Sequence, residues 1–302
     1  MPASLVLVWW RVINKLVIFG VGLIGGSLAL ALRKKAYCQQ IVGCSRNAEH
    51  LQRAVDLGVI DSYTLDPHAA VSGADMIFLA VPVGAMQAVL QQIEPALEDF
   101  AVLTDGGSAK GAIVNSARAT LGAGALARFV PGHPIAGRER SGVDAALGDL
   151  YTGKRVILTP LPETDSAALE KVDAMWRATG ALVENMPVQL HDEVLAATSH
   201  LPHVLAFSMV DTLLKRPQSE DILRYAAGGF KDFTRIASSD PVMWRDICLH
   251  NSDAVLDMIQ ALQNNLSDFA ALIEAQDGHG LLELMATSKQ ARDRYVAQLD
   301  AG

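Results

Sequence analysis

The sequence predicts an α/β Rossmann-type, doubly wound domain followed by an all-α helical domain, and three observations support this fold class. Short apolar runs typical of strands buried on both faces alternate with helical segments from Lys15 onward. A glycine-rich turn directly follows the first run. After about Asn185 the strand-like runs stop, and apolar residues recur at intervals of three and four. The predicted parts are an N-terminal extension over 1–13, a dinucleotide-binding domain over 14–185 and a helical domain over 186–302.

Length and composition agree with two folded domains. The 302 residues are about twice the ~150 typical of one domain. Half of the residues are hydrophobic and 19% are charged, which excludes disorder as the main state. The formal net charge of −8 argues against nucleic-acid binding, because an acidic chain is repelled by a polyanion.

The cysteines and the N-terminal apolar run predict a cytoplasmic protein with no membrane attachment. Cys38, Cys44 and Cys248 are odd in number and lack C-x-x-C spacing, so neither a disulfide scaffold nor a zinc cluster is expected. Leu5 to Trp10 is far shorter than the ~20 apolar residues that span a bilayer. It also lacks the flanks of a signal peptide.

The individual elements follow from the same patterns. Strand patterns that alternate with helices predict βαβ units and hence a parallel sheet. Breaks in the helical part are expected at 216–217, 228–229 and 240–241. The predicted strands lie at 16–19, 41–44, 76–81, 101–104, 128–130 and 156–158, and the first two helices at 24–35 and 47–57.

The turn after the first strand has the pattern of a dinucleotide-binding loop. Gly20 permits a tight turn, Gly22 lets the backbone approach a pyrophosphate, and Gly25 allows close packing of helix on strand. The alternative is a glycine-rich turn without a ligand. The predicted cofactor-binding residues here and at the end of the strand at 76–81 are Gly20, Gly22, Leu23, Ile24, Gly25, Val81 and Pro82.

The end of the second strand predicts NADP as the cofactor, with NAD as the alternative. NAD-binding domains usually carry an acid there, which bonds the ribose 2′-hydroxyl. This sequence has Ser45 and Arg46 instead, and the nearest acid, Glu49, lies in the next helix. A guanidinium and a hydroxyl suit a 2′-phosphate. An exposed arginine without a ligand role is the simpler alternative.

Two polar clusters follow later strands, where a doubly wound sheet places its active site. The first, 104–111, contains Ser108 and Lys110, and the second, 132–139, contains His133. An imidazole beside a nicotinamide can take a hydroxyl proton while hydride leaves the same carbon. From spacing alone, Ser108 as a helix cap and Lys110 as a solvated residue are the simpler interpretations.

Five motifs in order make the chain resemble the prephenate/arogenate dehydrogenase family of tyrosine biosynthesis. The resemblance runs from about Asn14 to the end of the chain. The motifs are T-D-x-x-S-x-K at 104–110, G-H-P-I-A-G-R-E-x-S-G at 132–142, S-H-L-P-H at 199–203, G-G-F-K-D-F-T-R at 228–235 and W-R-D at 244–246.

The resemblance implies the oxidative decarboxylation of a small cyclohexadienol, prephenate or arogenate. His133 matches the catalytic histidine that accepts the proton of the ring hydroxyl, and Ser108 the serine that helps to hold that hydroxyl. General-base help of this kind contributes about 10²–10⁴-fold to a rate. The helical domain is expected to bind substrate and to form a homodimer.

The resemblance also supplies a substrate-binding set. Arg235 matches the arginine that clamps the ring carboxylate, and Glu139 and Asp232 match residues that gate the pocket through an ion pair. Trp244 is expected to be pocket wall or core. His200 and His203 do not form a metal site, because no third ligand has suitable spacing. The full predicted set is Arg235, His203, Glu139, Asp232, Trp244, Arg138 and Lys110.

Two departures from the family pattern affect these expectations. The stretch from Leu121 to Ala125 looks longer than in relatives and is expected to be a surface turn. Arg138 occupies a position expected to vary within the family and to lie near the substrate side chain. Because the chain ends soon after its last helix, tyrosine inhibition is expected to act at the active site itself.

Two alternative functions remain open at this point. One is an enzyme resembling the β-hydroxyacid dehydrogenases or pyrroline carboxylate reductases, which share this domain order but have no need for His133 together with Arg235. The other is a non-catalytic sensor of NADP(H), which has no use for a proton acceptor.

Overall fold

The computed structural model describes residues 13–138 and 140–300. Contacts divide the chain into two compact units, the first ending at Ser252 and the second beginning at Asp253. The strands are β1 (Ile13–Phe19), β2 (Cys38–Cys44), β3 (Ser62–Thr64), β4 (Met76–Leu79), β5 (Val102–Asp105), β6 (Phe129–Val130), β7 (Gly132–Pro134), β8 (Arg155–Leu158) and β9 (Leu182–Asn185).

The helices of the first unit surround and follow these strands. They are α1 (Leu23–Lys34), α2 (Ala48–Asp56), α3 (Pro67–Val71), α4 (Met86–Ile93), α5 (Lys110–Thr120), α6 (Ala123–Ala127), α7 (Ser166–Ala178), α8 (Val188–Leu195), α9 (Leu201–Leu214), α10 (Ser219–Arg224), α11 (Gly228–Thr234) and α12 (Pro241–His250). The second unit consists of α13 (Ser252–Glu274) and α14 (Gly278–Asp300).

The main sheet is parallel, which confirms the predicted fold class. Its six strands lie in the order β3-β2-β1-β4-β5-β6, and every neighbouring pair is parallel. The chain order reverses between β1 and β4, so a crevice opens outside the carboxyl ends of these two strands. In doubly wound sheets this is where ligands bind.

A second, three-stranded sheet departs from the prediction of a purely parallel arrangement. Its order is β7-β8-β9, with β7 antiparallel to β8 and β8 parallel to β9. The patterns predicted β8 but neither β7 nor β9. The strand β7 is only three residues long and ends in Pro134, a residue that normally argues against a strand.

The core lies on both faces of the parallel sheet. On one face Trp176 packs edge-on against Phe78 and Tyr151, with ring centroids 5.6 and 5.1 Å apart. Such pairs add about 0.5–1.5 kcal/mol each beyond burial. The Tyr151 hydroxyl donates to the carbonyl of Ile24 over 2.6 Å, which joins this core to the first helix after the glycine turn.

Two local predictions need correction. In the stretch around Leu121, Gly122, Ala123 and Gly124 are exposed, as expected of a surface segment, but Leu121 is buried and Ala123–Ala127 form the short helix α6 instead of a turn. The pair at 228–229 does not break a helix but begins α11. At Pro202, a single wide π-helical turn over Ala196–His200 precedes α9 and accommodates the proline near the helix start.

The two long helices of the second unit carry several exposed apolar side chains. Leu256, Leu266 and Ile273 on α13 and Leu282 on α14 are more than half exposed. Within the described residues no helix combines the length and apolar character needed to cross a bilayer.

Parts of the predicted organisation remain predictions. Residues 1–12 of the predicted extension lie outside the described residues, and β1 already begins at Ile13. The last strand ends at Asn185, as the sequence suggested, whereas the compact units divide at Ser252. The predicted domain boundary between 185 and 186 therefore stays a prediction.

Candidate active site

The glycine turn between β1 and α1 has the geometry of a dinucleotide-binding loop. Gly20 has φ +89°, and a Cβ on it would lie 2.4 Å from the carbonyl oxygen of Ala80. A Cβ on Gly25 would lie 2.3 Å from the carbonyl oxygen of Gly20. A Cβ on Gly22 would meet nothing within 4 Å. Two glycines therefore serve the fold, and the third keeps open space in front of the N-terminus of α1.

This difference predicts opposite effects for two alanine substitutions. Gly22→Ala should leave the melting temperature almost unchanged and raise the KM of the nicotinamide cofactor at least tenfold (about 1.4 kcal/mol), because the new methyl group enters the open space. Gly25→Ala should lower the melting temperature, because its methyl group meets backbone. Thermal unfolding and cofactor titration of both variants test this. Equal destabilisation by both would contradict it.

The residues predicted to select the cofactor lie at the carboxyl end of β2. Arg46 is exposed, and no carboxylate of the described residues pairs with it. The hydroxyl of Ser45 lies 3.3 Å from the backbone nitrogen of Asn47, whose own side chain caps α2. Val81 and Pro82 follow β4 across the crevice, half-buried and exposed respectively. The predicted cofactor residues thus flank the crevice between β1 and β4 or lie one strand away from it.

A fully buried ion pair fixes the backbone next to the predicted catalytic histidine. The ammonium of Lys110 contacts Asp105 Oδ2, and neither side chain is exposed to solvent. The same ammonium donates to the carbonyl of Gly132 over 2.6 Å, and the backbone nitrogen of Gly132 donates to Asp105 Oδ1 over 3.1 Å. Both backbone groups of the residue before His133 are therefore held by one ion pair.

This placement corrects the predictions for Lys110. It is neither a solvated residue nor exposed to a substrate, because its ammonium is enclosed by Asp105 and Gly132. Burial lowers the pKa of Lys110, and the adjacent carboxylate of Asp105 opposes that shift. A structural cation fits this geometry better than the predicted substrate ligand.

His133 is half-buried on β7 and begins a chain of polar contacts. Its Nδ1 lies 2.9 Å from Nε2 of His191, and Nδ1 of His191 lies 2.8 Å from Oδ1 of Asp192. Burial holds the pKa of His133 well below its ordinary value, and the nearby His191 and Lys110 add to the shift. The imidazole is therefore neutral at neutral pH and able to accept a proton.

Ser108 lies two residues before α5 and is half-buried. The interpretation of Ser108 as a helix cap is wrong, because Ala109 is the N-cap residue and supplies no side-chain bond. Asp192 performs this function from another helix: its carboxylate accepts from the backbone nitrogens of Lys110 and Gly111 over 2.8 and 2.7 Å. Within the described residues the hydroxyl of Ser108 makes no hydrogen bond, so it remains available to a ligand.

A second cluster, formed by α9 and α12, surrounds Trp244. The indole is buried and stacks on the ring of His203, with centroids 3.5 Å apart and planes 19° apart. Nδ1 of His203 lies 2.9 Å from the carbonyl of Ser199, so it is the protonated nitrogen and Nε2 is an acceptor. Burial lowers the pKa of His203, and the positive charge of Arg235 contributes, which places Arg235 nearby.

The remaining predicted substrate residues are exposed or lie outside the described residues. Asp232, Arg138 and Arg235 are exposed, and Glu139 lies outside the described residues. The predicted gate between Glu139 and Asp232 therefore stays a prediction, as do the roles of the other site residues. Within the described ranges, no group of three or more His, Cys, Asp and Glu side chains is arranged to hold a metal ion.

The sequence patterns missed three residues of this arrangement. Asp105 was noted as part of a motif without a role, and His191 and Asp192 were not singled out. His191 and Asp192 lie on α8, which contains none of the predicted substrate residues. In the sequence, 58 positions separate His191 from His133. Only their adjacency as a His-Asp pair in the middle of α8 offered a signal. Their contact with β7 is a product of the tertiary fold.

Comparisons with known proteins agree with the resemblance. Residues 28–185 match the family described as prephenate dehydrogenase, nucleotide-binding domain, and 187–287 match prephenate dehydrogenase, dimerization domain. A cyclohexadienyl dehydrogenase of Zymomonas mobilis is 37% identical over 287 residues, which cover 93% of this chain and 96% of that protein.

Two solved structures are similar over most of the chain. The prephenate dehydrogenase of A. aeolicus, solved with hydroxyphenyl propionate and NAD+, is 41% identical with a TM-score of 0.86, covering 92% of this chain and 97% of that one. Synechocystis arogenate dehydrogenase is 27% identical with a TM-score of 0.79, covering 93% and 99%.

Proposed function

The chain belongs to the prephenate dehydrogenase family and is an NAD(P)-dependent dehydrogenase, and from this premise we propose that it converts prephenate to 4-hydroxyphenylpyruvate, arogenate to tyrosine, or both. The observation that carries this proposal is His133. It is a half-buried, neutral imidazole with one nitrogen bonded inside the protein, and it directly follows Gly132, whose backbone nitrogen donates to Asp105 at the carboxyl end of β5.

The proposed mechanism assigns proton transfer to His133. The O–H bond of the ring hydroxyl breaks as Nε2 of His133 takes the proton, and the carbinol carbon loses hydride. The bond to the ring carboxylate then breaks, CO₂ leaves, and the proton returns from His133 to the phenolate oxygen. Formation of the aromatic ring makes the reaction essentially irreversible. When bound, the nicotinamide supplies the hydride acceptor.

The residues of the crevice fit a dinucleotide. The open space in front of Gly22 and the N-terminus of α1, which has no side-chain cap, suit a pyrophosphate. We favour NADP over NAD because Arg46 is exposed without a carboxylate partner among the described residues and no acid ends β2. The exposed apolar side chains of α13 and α14 support a homodimer, in keeping with the dimerization-domain match.

The substrate clamp leads to a prediction for Arg235. Arg235→Gln should raise the KM for prephenate or arogenate at least tenfold and change kcat less, because a carboxylate clamp binds the ground state and the transition state alike. Steady-state kinetics at saturating cofactor measure both constants. A tenfold or larger fall in kcat with an unchanged KM would show that Arg235 acts on the chemical step instead.

A two-by-two steady-state assay tests the proposed function. Prephenate or arogenate is combined with NAD+ or NADP+, and reduced nicotinamide is followed. Turnover with any pair supports the reaction, and the ratios of kcat/KM assign substrate and cofactor. Absence of turnover in all four combinations, with cofactor binding intact, would favour the hydroxyacid dehydrogenase or the sensor.

The same assay tests Arg46. Arg46→Ala should lower kcat/KM for NADP+ by about tenfold to a hundredfold and leave that for NAD+ nearly unchanged, because a charge-assisted hydrogen bond contributes roughly 1.5–3 kcal/mol. Arg294→Ala, which changes an exposed arginine of α14, is the matched control and should alter neither value. Equal losses with both cofactors would contradict selection by Arg46.

A further inference from the structure

We propose that His191 and Asp192 are positioning residues for His133: together they form a carboxylate–imidazole–imidazole chain that determines which nitrogen of His133 receives the substrate proton. The inference rests on the proposed function, since it concerns how His133 acts as proton acceptor. It assigns roles to two residues that no motif singled out.

The chain is anchored at Asp192. Its two carboxylate oxygens accept from the backbone nitrogens of Lys110 and Gly111 in the first turn of α5, over 2.8 and 2.7 Å. Asn251 donates to the backbone carbonyl of the same residue over 2.9 Å. Although burial opposes ionisation, the hydrogen bonds from His191 and from α5 hold the pKa of Asp192 below its ordinary value. The anchor is thus an ionised carboxylate in a fixed position.

An ionised carboxylate can only accept hydrogen bonds, and this decides the tautomer of His191. Its Nδ1, 2.8 Å from Asp192 Oδ1, must carry the hydrogen. The side chain of His191 is fully buried, and burial lowers its pKa, so the ring is neutral. A neutral imidazole carries one hydrogen, and Nε2 of His191 is therefore an acceptor.

The same logic then applies to His133. Its Nδ1 lies 2.9 Å from the acceptor Nε2 of His191, so Nδ1 carries the hydrogen and Nε2 holds a lone pair. The backbone of the preceding Gly132 is held on both sides by the Asp105–Lys110 pair, which keeps the ring from moving away. The lone pair on Nε2 is consequently present before the substrate binds.

The carboxylate–imidazole–imidazole chain also stabilises the protonated form of His133. When the substrate O–H bond breaks and a new N–H bond forms at Nε2, His133 becomes an imidazolium. Its Nδ1–H then donates to His191, whose own hydrogen bond leads to the negative charge of Asp192. This offsets part of the unfavourable effect of the nearby Lys110 ammonium. Loss of a tautomer-fixing partner in another enzyme with a histidine base lowers kcat by about 10⁴.

Two substitutions of His191 separate positioning from simple packing. Leucine fills the site but accepts no hydrogen bond. The amide of glutamine has an acceptor and a donor spaced much as in imidazole, so it can accept from His133 and donate to Asp192. We expect His191→Leu to lower kcat a hundredfold or more with KM values within threefold of wild type, and His191→Gln to recover at least tenfold of that loss.

Nitrogen-15 NMR of histidine-labelled enzyme reports the tautomer directly. In the wild type, His133 should show a protonated Nδ1 and an unprotonated Nε2. In His191→Leu it should shift toward the Nε2-protonated form, and in His191→Gln it should keep the wild-type pattern. His68→Gln, which changes an exposed histidine on α3, is the control and should change neither kinetics nor the His133 signals.

Each outcome bears on the proposal. Full kcat in His191→Leu, or an unchanged His133 tautomer in that variant, would overturn it. Should His191→Leu fail to fold, the His191→Gln variant and the wild-type nitrogen signals still decide, since an Nε2-protonated His133 in the wild type is incompatible with the chain. Full turnover by a variant lacking the His133 imidazole would instead overturn the proposed function itself.

Discussion

Replacing His133 with asparagine is expected to lower kcat by about 10²–10⁴-fold and to change the substrate KM little. The imidazole takes the hydroxyl proton as the transition state is reached, whereas an amide cannot. Because the pKa of His133 is held well below its ordinary value, the wild-type rate should stay near its maximum as the pH falls to 6.5 and decline only below that. Steady-state kinetics across pH on wild type and variant measure both effects.

The control for this variant is retained binding. Cofactor titration and thermal unfolding of His133→Asn should match the wild type, because the Asp105–Lys110 pair, and not the imidazole ring, holds the backbone of β7 at Gly132. Full turnover by the variant would show that another group accepts the proton, and the proposed mechanism would then be wrong.

Replacing Lys110 with methionine is expected to lower the free energy of unfolding by about 3–5 kcal/mol. The substitution leaves Asp105 charged and fully buried without its cation, and the carbonyl of Gly132 loses its donor. For a unit of this size the corresponding fall in melting temperature is roughly 6–20 °C. Calorimetry or circular dichroism measures the shift.

A matched control separates burial from charge. Lys289→Met removes an exposed helix ion pair with Asp293 and should cost less than about 0.5 kcal/mol. The double variant Lys110→Met with Asp105→Asn should recover part of the stability, because no unpaired charge remains. If the double variant were less stable than Lys110→Met alone, the unpaired carboxylate would not be the cause.

The parallel sheet and the glycine turn could be predicted from the sequence because their signals are local. A strand buried on both faces has a continuous run of apolar residues. A tight turn followed by a closely packed helix needs glycine at defined positions, as at Gly20 and Gly25. The predicted fold class is accordingly confirmed. The strand β7 was missed because three residues ending in Pro134 carry almost no pattern.

The electrostatic part of the site could not be read in the same way. Lys110 looked like a solvated helix residue, since a lysine in a first turn is usually exposed. Its burial depends on Asp105 and on the carbonyl of Gly132, which tertiary folding brings to it. The same holds for His191: its partner His133 lies on a strand of the second sheet, and no periodicity links the two.

The uncapped start of α1 has a thermodynamic consequence for the whole first unit. Side-chain caps contribute about 1 kcal/mol to a helix, and Gly22 offers none. An anion bound there supplies the missing acceptor only in the folded state, so folding and binding are linked equilibria. At a ligand concentration of 100 Kd this linkage adds about 2.7 kcal/mol to the free energy of unfolding. The resistance of the chain to heat and proteolysis should therefore rise and fall with the dinucleotide pool around it.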